Sequence, residues 1–390
     1  MKNKVVLCLL VVLGLLAAGL WPFTPYPRNE VSWAVDGPGL RFGDYGTILS
    51  SSAVAQPISS DGSCTLEIWL TPGLTDDSNV ILAFSVPENP LQFRLGQGGD
   101  AVYVAREVLR NGSVVGRPYM RMNHVFQKGT SVLLTLTANT RGTKAYLNGV
   151  LAEARSDFGL NAADFSGNIV VANSPVGNNS WSGLLQGIAL YGSELSATEV
   201  FRHYQAWTAA DGAVLTSLGS DSLFLFREGT GKVVHNLGPS RQANLYIPDY
   251  YLILYPTFLQ PFWEGFQPST SSLIDLSNNI LAFIPLGFLL NAVFVGLQSR
   301  KRAFCTSVLL GALLSLTIEV LQYFLPMRDS DSLDFLVNTL GTMIGAWLYA
   351  LEADHHWLAQ LPIVGEVWNA VDPDELYAPA DSEAGVPERT

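Results

Sequence analysis

The 390-residue chain is short of positive charge, of cysteine and of histidine. Its 22 Lys and Arg stand against 34 Asp and Glu, a formal net charge of −12. A surface that holds nucleic acid needs clustered cations, so that class of partner is excluded. The three cysteines, Cys8, Cys64 and Cys305, are far apart, and Cys64 is alone in the polar part of the chain. They give no disulfide framework and no zinc site, and Cys64 reads as a small core residue. Apolar residues, at 48%, are in excess, and they crowd into residues 5–23 and 276–351. The stretch between reads as an ordinary globular sequence rich in Gly, Asn, Ser and Thr. One chain therefore faces two solvents.

A membrane-crossing helix needs about 20 largely apolar residues, because the hydrocarbon layer is ~30 Å thick and each residue rises ~1.5 Å. Val5–Phe23, Leu276–Leu297, Phe304–Phe324 and Leu333–Leu351 qualify, which predicts an all-α four-helix transmembrane bundle. The first run also has the form of a secretory signal peptide, but no A-x-A cleavage site follows it, and Trp21 and Phe23 read as interfacial anchors; it is taken as retained. Lys2, Lys4 and the Arg300–Arg302 cluster stay inside by the positive-inside rule. Residues 24–275 and the loop 325–332 are then extracytoplasmic, in a multi-pass protein of the plasma or inner membrane. The expected divisions are a first helix over 1–24, a β domain over 31–246, an interfacial linker over 247–275, three helices over 276–351, and an acidic cytoplasmic tail over 352–390, partly disordered. The aromatic, Pro-rich stretch 250–268 is expected at the outer interface.

Residues 31–246 show short alternating runs broken by turn signals, among them Cys64–Leu70, Val132–Ala138, Lys144–Leu147 before Asn148-Gly149, and Asn168–Ala172. Alternation with such turns means antiparallel hairpins, and many of them without helices between imply a β-sandwich. A short helix is expected at Ser196–Trp207, capped by Ser196 with Glu199 three residues on. Gly39-Leu40-Arg41-Phe42, Thr65–Trp69, Lys144–Val150, and Trp181-Ser182-Gly183 through Ile188–Tyr191 to Glu199-Val200 carry a resemblance to the concanavalin-like, laminin-G-like jelly rolls over roughly 31–210. Residues 223–246 resemble the strand that opens such domains but close this one, either as a permuted edge strand or as a linker hairpin.

The resemblance implies glycan hydrolysis or ligand binding without chemistry. Retaining glucanases of this fold set carboxylates about 5 Å apart on one strand face as E-x-D-x-x-E. That spacing does not occur between residues 31 and 246, and Glu67 has no acidic partner two or four positions away, which argues against hydrolysis. Tyr45, Tyr119 and Trp181 are candidate stacking platforms for a glycan, with packing as the competing role. Asp36, Asp44 and Asp164 are the candidates for a calcium site, the one cofactor considered; no other metal or cofactor is expected.

The last three helices are not uniformly apolar. Asp275 and Asn279 share a face of the second, Glu319 and Gln322 a face of the third above Ser315, and Asp334 and Asn338 a face of the fourth. Counting ~1.5 Å per residue, all six lie within about 10 Å of the outer surface, and Arg328 sits in the loop above them, free to pair with Glu319 or Asp334. Ionisable groups in a bilayer are costly and usually face a bundle interior or a polar cavity. Gly311-x-x-x-Ser315 and Gly341-x-x-x-Gly345 suit close helix approach, and Pro285 is expected to kink the second helix or end its regular part. Caps and interhelical glue are the competing roles, with Asp275 as an N-cap.

Asp275, Asn279, Phe283-Ile284-Pro285-Leu286-Gly287, Ser315, Glu319, Gln322, Arg328, Asp334 and Asn338-Thr339-Leu340-Gly341 resemble the VanZ-like family over about 250–351. The resemblance implies a four-helix bacterial membrane unit with the β domain inserted in its first outer loop. The founding member is linked to low-level teicoplanin resistance; no mechanism comes with the family. Three readings stand. The first is a cell-envelope protein that binds a glycan or protein outside and a lipid-linked partner in the polar cluster. The second is a membrane enzyme with Glu319 or Asp334 as base and Arg328 holding an anionic head group. The third is a scaffold. Membrane lipid is an expected partner, with an envelope glycan or protein as a further candidate, and oligomeric state is not read from the sequence.

Overall fold

The computed structural model describes residues 2–73, 78–239, 243–262 and 270–355. The tail expected to be disordered lies almost wholly outside them, as do residues 263–268 of the aromatic stretch. The chain divides into two compact units, Thr24–Thr257 and Met1–Phe23 with Phe258–Thr390.

In the first unit, period-two alternation becomes strands. In chain order these are β1 Val31–Trp33, β2 Leu40–Phe42, β3 Ile48–Ser50, β4 Cys64–Pro72, β5 Ser78–Val86, β6 Asn89–Gly98, β7 Ala101–Arg106, β8 Val108–Arg110, β9 Ser113–Gly116, β10 Tyr119–Met122, β11 Val132–Asn139, β12 Gly142–Leu147, β13 Val150–Arg155, β14 Asn168–Val171, β15 Gly183–Tyr191, β16 Ser222–Phe224, β17 Val233–Val234 and β18 Leu245–Tyr246. They form one sheet in the order β1-β2-β15-β4-β11-β12-β13, with β16 also on β15, and a second in the order β10-β7-β6-β5-β14-β3-β18-β17. Pairing between neighbouring strands is antiparallel throughout the described residues. The fold is an antiparallel sandwich of the concanavalin-like kind. The β12–β13 turn uses Asn148 and Gly149 at φ 50° and 81°, the left-handed pair that a tight hairpin needs.

Leu66, Ile68 and Leu70 of β4 point into the space between the sheets with Leu134, Leu136, Ile188, Phe84, Phe93 and Val104. The opposite face of the first sheet is covered too. Helix α2, Ala197–Thr208, starts at a capping box in which Ser196 Oγ accepts from Glu199 N and Glu199 accepts from Ser196 N. With the short α3, Gly212–Ser217, it closes a second apolar cluster that includes Leu133, Tyr146, Val200, Trp207 and Leu223.

Two expectations change. Residues 223–246 are neither one permuted edge strand nor a separate hairpin: β16 pairs with β15 in the first sheet, while β17 and β18 join β3 in the second. The start of the expected interfacial linker packs on the β unit, with Tyr251 buried and Tyr255 N donating to Pro175 O at 2.8 Å.

The second unit is built from α1 Lys2–Leu20, α4 Thr270–Phe294, α5 Arg300–Gln322 and α6 Ser332–His355. Among the described residues, α1, α4 (over Leu273–Phe294) and α5 are long and apolar enough to cross a membrane. The fourth expected span, α6, forms with ample length, but its polar side chains keep it out of that set.

Candidate functional site

Polar side chains spaced one turn apart line one end of the helical unit. Asn279 on α4 donates through Nδ2 to Asp334 Oδ1 on α6 at 2.7 Å. One turn further along α6, Asn338 donates to Ser315 Oγ on α5 at 3.1 Å. Glu319, one turn beyond Ser315, is 1% exposed, and its carboxylate accepts the Asp331 N–H at 2.9 Å. Asp334 and Asp331 lie near enough for their charges to act on Glu319. Asp275 remains exposed, one turn before Asn279 and more than a turn inside α4, so it is not that helix's N-cap.

Arg328 is not the counterion it was expected to be. Its guanidinium donates to Trp21 O at 2.7 Å through Nε, again to Trp21 O through Nη2, and to Ala18 O at 3.3 Å. No ion pair joins it to a carboxylate among the described residues. Gln322 Nε2 donates to Gly19 O at 2.8 Å. The final carbonyls of a helix lack intrahelical donors and carry partial negative charge, so both side chains serve as its C-terminal cap. The predicted cluster thus splits: Gln322 and Arg328 hold α1, while Asp275, Asn279, Glu319, Asp334 and Asn338 stay with α4, α5 and α6.

Glu319 also orders the turn into α6. Asp331 Oδ1 accepts from Leu333 N at 2.8 Å, which makes Asp331 the N-cap. Gln260 N donates to Ser330 O at 2.8 Å, and Gln260 O accepts from Ser332 N at 3.1 Å. Asp331 carries no signal in the sequence, because an acid immediately before a helix has no periodicity. Asn291 carries none for the opposite reason, being one amide in an apolar run; it is buried and donates to Ala346 O at 2.7 Å. The Oδ1 atoms of Asn291 and Asn338 and the Oε1 of Gln322 are buried acceptors with no hydrogen-bond partner among the described residues.

The small residues permit these contacts. A Cβ on Gly287 would lie 2.0 Å from Thr342 O, one on Gly341 2.3 Å from Ile280 O, and one on Gly345 1.9 Å from Ile284 O. On α5, a Cβ on Gly311 would lie 2.4 Å from Thr342 Oγ1. Pro285 sits inside α4, which continues through it as one helix rather than ending there.

In the β unit, Trp181 is buried with Nε1 bonded to Gln97 Oε1 at 2.8 Å, so it is packing and not a platform. Tyr45 lies edge-on against Tyr251, and Tyr119 is 64% exposed on β10. Asp36 and Asp44 are exposed. Asp164 is buried, ion-paired with Arg106 at 3.2 Å and bonded to Asn161 N; burial raises its carboxyl's pKa and Arg106 opposes that. Among the described residues no three His, Cys, Asp or Glu are grouped to hold a metal. Glu67 has a role that spacing rules missed. Fully buried under α2, it accepts from Trp207 Nε1 at 3.0 Å and Tyr191 Oη at 3.1 Å and lies 3.1 Å from His203 Nδ1. Burial and the Glu67 carboxylate push the Tyr191 hydroxyl far up.

Residues 222–352 match the VanZ/LLP1 family. Residues 43–201 match the concanavalin A-like lectin/glucanases superfamily. Protein VanZ of Enterococcus faecium is 31% identical over 87 residues, which cover 22% of this chain and about half, 51%, of that protein. The VanZ-like segment begins at β16, so it includes strands that complete the sandwich. Among solved structures, the botulinum neurotoxin DC binding domain in complex with SialylT is 15% identical, covering 46% of this chain and 45% of that one with a TM-score of 0.34. A SAP-like pentraxin of Limulus polyphemus is 14% identical over 45% of this chain and 78% of its own, with a TM-score of 0.31. With its VanZ-like segment and apolar helices, the chain is a membrane protein.

Proposed function

We propose that this is a multi-pass cell-envelope protein of bacteria, with residues 24–275 outside. Its β unit binds an envelope glycan, and the polar ends of α4, α5 and α6 receive the donor-rich part of a lipid-linked envelope molecule. The observation that carries the second half is an excess of acid over cation at one end of the bundle. Glu319, Asp334 and Asp275 share one end of the bundle, and among the described residues no ion pair reaches them; Arg328, whose charge acts on Asp334, is anchored on the end of α1. Acid in excess of its counterions is expensive at membrane depth and is by default a functional feature. The buried, unpartnered Asn338 Oδ1 adds an acceptor that a bound hydroxyl, amide or ammonium would satisfy.

The anchoring of Arg328 on α1 weighs against the enzyme reading, because two of its three nitrogens already donate to carbonyls and fewer donors remain for an anionic head. The test is teicoplanin susceptibility of cells expressing the full chain or its Glu319→Gln and Asp334→Asn forms at matched membrane abundance. The proposal expects both variants to lose any protection the parent gives. Variants as protective as the parent would sink it in favour of a scaffold. For the β unit, the detergent-solubilised chain is expected to sediment with an isolated cell-wall fraction.

A further inference from the structure

A groove of about 390 Å³ opens on the β unit, with walls that include Trp33, Pro38, Phe226 and Arg227. Its walls are tied together by hydrogen bonds. The loop from β1 to β2 is closed by Ala34 N donating to Gly39 O at 3.0 Å and is tied across by Gly39 N to Phe226 O at 2.8 Å. Gly39 has φ 143°, and a Cβ there would meet Leu184 at 2.8 Å, so the tie needs glycine. The Trp33 ring rests on the core, and its Nε1 donates to Gly231 O at 2.9 Å, which fixes the indole and leaves its remaining surface to the groove.

Arg227 is exposed; Nη2 donates to Ala210 O at 2.6 Å, and the guanidinium has no carboxylate partner among the described residues. Gly212 makes room for it, since a Cβ there would lie 2.4 Å from Nη1. One held aromatic and one held cation with spare donors face a space at the small end of ligand sites, ~300–1,000 Å³. That suits a short saccharide better than a folded partner. The chain's net charge of −12 repels anions at long range, so an anion here must be won by short contacts, and a planar guanidinium matches a carboxylate in two bonds.

We propose that this groove binds a saccharide bearing a carboxylate, the sugar ring against Trp33 and the carboxylate on Arg227. The proposal rests on the glycan-binding reading of the β unit and names its site and ligand class.

Calorimetry with the full chain in detergent tests it, with three probes. The GlcNAc–MurNAc disaccharide carries a lactyl carboxylate, trigalacturonate carries ring carboxylates, and chitobiose is neutral. At least one acidic probe is expected to bind tenfold or more tighter than chitobiose, and which one does so identifies the source of the carboxylate. Arg227→Met removes that preference, Arg227→Lys keeps part of it, and Trp33→Ala weakens all binding. Arg227 is exposed, so its variants test the site even if Trp33→Ala does not fold. Equal affinity for acid and neutral sugar, or an Arg227→Met form that binds as the parent does, overturns the proposal. If that variant also still sediments with the cell-wall fraction, the groove assignment fails and the glycan reading stands. A parent chain that binds neither probes nor cell wall overturns both.

Discussion

At the scale of single residues, buried polar groups decide most. Glu67 gathers the Trp207, Tyr191 and His203 side chains in a fully buried site. Removing one partner of such a network leaves the others desolvated and unpaired, which costs roughly 3–5 kcal/mol. Glu67→Ala should lose about that much in denaturant unfolding followed by tryptophan fluorescence, and Glu67→Gln, which keeps an acceptor, distinctly less. An Ala form as stable as the parent would remove the network from the list of stabilising features. Cys64 gives a pH-dependent counterpart. Burial pushes its thiol up to about 12 from 9.0, so the folded chain holds the proton that the unfolded chain releases. The contribution to stability is complete below about pH 9 and is lost as pH rises toward 12. At pH 8 the thiol is almost wholly protonated in the fold. A water-soluble maleimide should therefore leave Cys64 unmodified until the β unit unfolds; rapid labelling of native protein would contradict this.

At the scale of elements, the glycines of the α4–α6 crossing set how closely two helices meet. Gly345→Leu would drive a side chain into Ile284 O, and no rotamer avoids a clash that begins at Cβ. That variant should lose the compact, protease-resistant helical unit in detergent, whereas Gly14→Leu, on an α1 face with nothing within 4 Å, should keep it. These crossings were legible, because G-x-x-x-G is a local spacing with a local cause. So were β4, β11 and β12, whose alternation and Asn148-Gly149 turn are short-range facts. The partners of Arg328 were not legible. Carbonyls at the end of α1 are 307 and 310 positions away and carry no side-chain signature. The choice between platform and packing for Trp181 was not legible for a related reason: burial of an aromatic depends on what the second sheet places over it. Glu67 was hidden because β4 is buried on both faces only once α2 has covered the outer one.

At the scale of the whole molecule, the charge pattern predicts a topology that labelling can check. Cysteines introduced in a Cys-free background at Asp61 and at Lys301 should differ: a membrane-impermeant maleimide applied to intact cells modifies the first and spares the second. The reverse pattern would invert the proposed orientation. The sandwich also sets where the chain can be cut. The lectin-like match ends at residue 201, yet β16 covers Ile188–Leu190 and β18 covers Leu49 and Ser50. A fragment trimmed to that match would bare hydrogen-bonding backbone along one strand of each sheet, and bare strands recruit other strands. Such a fragment should self-associate where one spanning 24–257 stays dispersed. The last turns of this domain thus act as a selvedge, the finished border that keeps a woven cloth from taking up loose thread.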